Sequence, residues 1–120
     1  MTTQQRTTGN DAGTAPVACS LTAAGLAEQS GRWERLAARA LTERAETVHG
    51  VRLSFRPDPG VEEELRHLAA VENQCCRWAT WMVYTPAGHI VLDTRSTGDG
   101  IATLHGMFTS LHPARSADPC

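Results

Sequence analysis

The sequence predicts an α+β domain: a two-layer sandwich with a three-stranded antiparallel or mixed sheet and about three helices, in the order α-β-α-β-β-α. Three observations carry this. Leu26, Trp33, Leu36, Ala37, Ala40, Leu41 and Val48 recur at helical spacing, with Arg and Glu between them. Val51 to Arg56 alternates strictly, apolar Val51, Leu53 and Phe55 against polar Arg52, Ser54 and Arg56. Two further strand-like runs, residues 79–84 and 89–95, flank Thr85-Pro86-Ala87-Gly88, which reads as a hairpin turn.

The elements follow in order. Residues 1–16 are polar, without a hydrophobic stretch, and read as a disordered tail; 17–112 form one domain and 113–120 a second tail. Thr22 is the expected N-cap of the first helix, with Leu21 and Leu26 as its hydrophobic staple. This helix is expected to run to His49-Gly50, with Gly50 suited to the left-handed position after its end. After the 51–56 strand, Asp58 and Pro59 are the expected N-cap and first residue of a second helix. Glu62, Glu63 and Glu64 suit the positive end of its dipole, and Val61, Leu65, Leu68, Ala69 and Val71 form its apolar side to about Cys76. The hairpin follows. Asp99 then caps a last helix marked by Ile101, Leu104, Phe108 and Leu111.

Composition narrows the function. With 120 residues the chain fits one domain with one modest core. Eleven Lys and Arg against thirteen Asp and Glu give a formal charge of −2, without a basic stripe, which argues against nucleic-acid binding. No apolar run reaches the length of about 18 residues that a membrane span requires. The polar N-terminus does not read as a secretory signal, so a cytoplasmic, reducing location is expected. There, Cys19, Cys75, Cys76 and Cys120 read as metal ligands, catalytic groups or buried small hydrophobes rather than a disulfide framework.

The segment Glu72-Asn73-Gln74-Cys75-Cys76 carries the chemistry. On a continuous helix Glu72 lies three residues before Cys75 and four before Cys76, so the carboxylate and the thiols share a face. That face continues back through Leu65, Leu68 and Ala69, which makes Glu72 a carboxylate aimed at the core. Cys19 precedes the first helix, where the dipole favours a thiolate. If the start of helix one meets the end of helix two, Cys19, Cys75 and Cys76 form a two- or three-sulfur pocket. Such a pocket selects soft or borderline acceptors: Hg(II), As(III), Cu(I) or Zn(II). Glu72 and His105 are further candidate ligands, and Cys19, Cys75, Cys76 and Glu72 are the candidates for any catalysis.

The expected function is therefore soft-ion binding for sequestration, delivery or sensing, with no organic cofactor. A thiol-dependent enzyme acting on a soft electrophile such as an organomercurial, or a thiol redox switch, are the alternatives. The structural alternatives stand beside these. Both cysteines fit as inert core residues, Glu72 as a carboxylate tied to backbone or to Arg77, His105 as a satisfied helix histidine, and Cys120 as incidental. Partners are the ion or a small thiol-reactive ligand. The exposed face of a small sheet also allows a homodimer.

Three stretches, Ala18-Cys19-Ser20-Leu21, Val51-Arg52-Leu53-Ser54-Phe55 and Glu72-Asn73-Gln74-Cys75-Cys76-Arg77-Trp78, carry a resemblance. Between residues 17 and 111 the chain resembles small bacterial domains of undefined function with a Glu-x-x-Cys-Cys motif. Some of those are fused behind transcription factors of the mercury-resistance-regulator type as an effector-sensing part. The resemblance implies that Cys19, Glu72, Cys75 and Cys76 are the site residues. The chain departs from the pattern at Arg77-Trp78, where a small residue or Pro followed by Phe is expected, and it lacks a winged-helix segment.

Overall fold

The computed structural model describes residues 22–113. Helix α1 (Ala23–Ala40) leads into β1 (Leu41–Glu46) and β2 (Gly50–Phe55). Helix α2 (Val61–Cys75) follows, then β3 (Thr80–Tyr84), a 3-10 turn (Pro86–Gly88), β4 (Ile90–Arg95) and α3 (Asp99–Met107). The sheet has four strands in the order β1-β2-β4-β3, every neighbouring pair antiparallel. The α+β class stands, with one strand more than the sequence predicts.

The extra strand is β1. Thr22 caps α1 as expected, its hydroxyl accepting from Gly25 N at 3.0 Å, while the staple residue Leu21 lies outside the described residues. The helix stops at Ala40 rather than at His49-Gly50, and Leu41 turns to extended backbone (φ −67°, ψ 127°). The Ala40 carbonyl accepts from Arg56 N at 2.9 Å, and the Arg56 guanidinium reaches Arg39 O, so β2 closes the helix end. Residues 41–46 then pair with β2 through a turn in which Thr47 N donates to Gly50 O (2.8 Å) and Gly50 N to Thr47 Oγ1 (3.0 Å). Val48, expected on the apolar face of the helix, is instead 81% exposed. Leu41 is fully buried and suits either reading, and strand pairing overrides the helical pattern.

Helix α2 starts two residues later than expected. Gly60 is its N-cap at φ 82°, a left-handed position that glycine adopts without strain. Asp58 contributes its carbonyl to Val61 N (3.1 Å) and its carboxylate to Arg56 Nε (3.2 Å). Likewise Gly98, not Asp99, precedes α3. The first turn of α2 carries Glu62, Glu63 and Glu64, and Arg32 of α1 forks onto Glu64 at 2.9 and 2.7 Å.

One core lies between the helices and one face of the sheet, built from Val51, Leu53, Phe55, Trp81, Ile90 and Leu92 against Leu36, Leu65, Leu68 and Leu104. Phe108 sits within it, edge-on to Trp33 (centroids 5.3 Å) and Trp81 (6.0 Å). By alternation Arg52, Ser54, Met82 and Tyr84 look to the other face. Both outer strands are guarded. β1 carries Glu43, Arg44 and Glu46, and over β3 the α2 side chains Arg66 and Asn73 donate to Val83 O and Trp81 O, both at 3.5 Å. None of the helices among the described residues is long and apolar enough to cross a membrane.

Candidate functional site

The two long helices run antiparallel. Arg39 of α1 reaches Pro59 O, Arg32 reaches Glu64, and Gln29 reaches Leu68 O at 3.3 Å. The N-terminal half of α1 therefore lies beside the C-terminal half of α2, the meeting that the sulfur-pocket argument requires. Glu72 is buried there, 3% exposed. Its Oε2 accepts from Trp33 Nε1 at 2.8 Å and Gln29 Nε2 at 3.1 Å, and its Oε1 from Cys76 Sγ at 3.4 Å. Three donors on one side chain suit an acceptor-only carboxylate. Arg77 is not its partner: Arg77 Nε donates to Gln74 O at 3.4 Å.

Cys76 terminates α2. Its backbone N–H donates to Glu72 O at 2.6 Å, and its φ of −121° and ψ of 73° take the chain out of the helix. Its carbonyl accepts from Trp81 Nε1 and from Ala79 N, both at 3.3 Å, which fixes the turn. The Cys76 side chain, 1% exposed, is thus tied to Glu72 through Sγ and main chain alike.

Beside this pair lies a cleft of about 300 Å³. Gln29, Ser30, Trp33, Glu72, Cys76 and Phe108 line it, with Leu26 and Met107 at its walls. Those last two are 42% and 37% exposed and give the cleft an apolar lip. No Lys or Arg among the described residues lines it. The carboxylate of Glu72 and the C-terminal carbonyls of α2 make it electronegative.

The sequence-derived candidates part company here. Glu72 and Cys76 come together in the cleft. Cys75, a half-buried free thiol, packs against the core and is not among the lining residues, because consecutive helical side chains point about 100° apart. His105 sits with the β1–β2 hairpin instead, its Nε2 3.2 Å from Thr47 O and its Nδ1 3.8 Å from Glu46 Oε1. Cys19 and Cys120 lie outside the described residues. Among the described residues no group of three or more His, Cys, Asp and Glu side chains is placed to hold a metal ion.

Gln29 does not stand out in the sequence, and Trp33 enters there only as part of the apolar stripe of α1. Their signal in the sequence is faint but present: they stand four apart on one face of α1, and a core-facing carboxylate needs donors. Comparison of the chain with protein-family models, with curated proteins and with solved structures gives no significant match.

Proposed function

We propose that the cleft binds a soft metal or metalloid ion, with Cys76 as its first sulfur ligand. Cys19, three residues before the N-cap of α1, supplies the second sulfur, and the ion belongs to the set Hg(II), As(III), Cu(I) and Zn(II). The observation that carries this reading is the Cys76 thiol hydrogen-bonded to the buried Glu72 carboxylate in an electronegative cleft. When the ion displaces the thiol proton, Glu72 is positioned to take that proton, and the new sulfur–metal bond replaces S–H.

The test is titration of fully reduced protein with each ion, with thiols counted residue by residue after alkylation. Cys76 and Cys19 are expected to be protected by stoichiometric ion at micromolar concentration, and Cys76→Ser to abolish tight binding. If no ion protects Cys76, the reading fails.

The volume of the cleft favours a second reading. About 300 Å³ exceeds, roughly tenfold, the space of about 30 Å³ that one water takes up in the liquid, leaving room for an organic group on the soft atom. A carbon–mercury bond held at Cys76 would be cleaved by a proton delivered from Glu72 to carbon, mercury remaining on sulfur. Turnover of a small organomercurial by the native chain, absent in Cys76→Ser and in Glu72→Gln, is the result that supports it.

A further inference from the structure

The residues that follow Cys76 line a second depression, of about 400 Å³ and wide open, with His49, Arg77, Trp78, Thr80, Arg95 and Thr97 in its walls. Its chemistry is opposite to that of the thiol cleft. No Asp or Glu lines it, while two guanidinium groups and an imidazole do.

Arg95 is held in an unusual way. Asp93, two residues inward along β4 and on the side of the sheet away from the helices, is only 5% exposed. Its Oδ2 accepts from Arg95 Nε at 2.9 Å, and its Oδ1 lies 3.9 Å from Arg52 Nε. Spending the buried carboxylate on Nε fixes the plane of an exposed guanidinium and leaves its two terminal nitrogens as a fork. Arg77 is tied in the same manner, Nε to Gln74 O, with its terminal nitrogens unspent. The strand register sets Thr80 directly beside Arg95. The side chains of Thr80, Thr97 and His49 have no hydrogen-bond partner among the described residues. Donors without acceptors thus converge on one depression, and two of them carry fixed positive charge.

We infer that this depression is an oxyanion site, which takes a phosphate or carboxylate group of a small molecule between the Arg77 and Arg95 forks. The Thr80 and Thr97 hydroxyls supply neutral donors at its edge. The site stands independently of the thiol cleft.

Side-chain Nε–H correlation spectra of the arginines, recorded while the native chain is titrated with inorganic phosphate or with acetate at constant ionic strength, test the inference. Saturating shifts at Arg77 and Arg95 are expected, weakened about tenfold by Arg77→Gln or Arg95→Gln, the loss of one charge-assisted contact. Arg32→Gln should leave the affinity unchanged. Saturation by either anion supports the site, and by phosphate alone narrows it to dianions. Shifts that rise linearly, that chloride reproduces, or that saturate just as tightly at the remaining arginine in Arg77→Gln and in Arg95→Gln overturn it.

Discussion

Glu72→Gln keeps the shape of the buried side chain and removes its charge, so it isolates what the carboxylate does for the fold. Trp33 Nε1 and Gln29 Nε2 both donate to Oε2, so the amide has to place its oxygen there and its NH2 towards Cys76 Sγ. A hydrogen bond to a charged acceptor contributes about 1.5–3 kcal/mol and a neutral one about 0.5–1.5. Two bonds each weakened by about 1 kcal/mol give a loss of about 2 kcal/mol. For a domain of this size that lowers Tm by roughly 8–16 °C. Urea unfolding followed by circular dichroism measures it directly. Trp33→Phe removes one of the two donors, and in a double-variant cycle it should couple to Glu72→Gln by about 1 kcal/mol. A Glu72→Gln protein within about 0.5 kcal/mol of the native chain, the range of an ordinary surface substitution, would refute the reasoning, because solvent would then be carrying the carboxylate.

Brief iodoacetamide treatment of the folded, reduced chain should modify half-buried Cys75 at least about tenfold faster than buried Cys76, as read by peptide mass mapping; equal rates would contradict the burial. Phe108→Ala removes the ring wedged between Trp33 and Trp81 and should cost about 3–5 kcal/mol in the same urea assay. The hydrogen bond from Arg32 holds the Glu64 carboxyl below its ordinary value of 4.5. A lowered folded-state value means that this pair stabilises above the unfolded value and loses its contribution as pH falls through the folded one. Arg32→Gln should therefore lower stability at pH 7 by up to about 1 kcal/mol, since the pair is partly solvated, and converge with the native chain in acid below both values.

What the sequence made legible was local. The alternation from Val51 to Phe55 announces a strand with one wet face, and the Glu72 to Cys76 spacing announces a carboxylate and a thiol on one side of a helix. β1 was hidden because Leu41 continues the apolar stripe of α1, while the five residues after it include only Ala45 as an apolar side chain. Nothing within residues 41–46 signals a strand; its pairing with β2 does. The position of His105 follows from the same omission, since its partners belong to that hairpin. The partners of Glu72 lie 39 and 43 residues away, and only the antiparallel alignment of α1 on α2 selects them. That Cys76 caps α2 instead of continuing it depends on the point at which the helix ends, a matter of one residue that periodicity does not resolve.

The two guarded margins of the sheet have a consequence for how copies of this chain meet. A strand arriving from another molecule would find charge along one rim, and along the other carbonyls already engaged by Arg66 and Asn73. Ladder-by-ladder growth into fibres is therefore obstructed at both ends. The broad face of the sheet, on which Met82 and Tyr84 stand exposed, offers side-chain contact without main-chain registry.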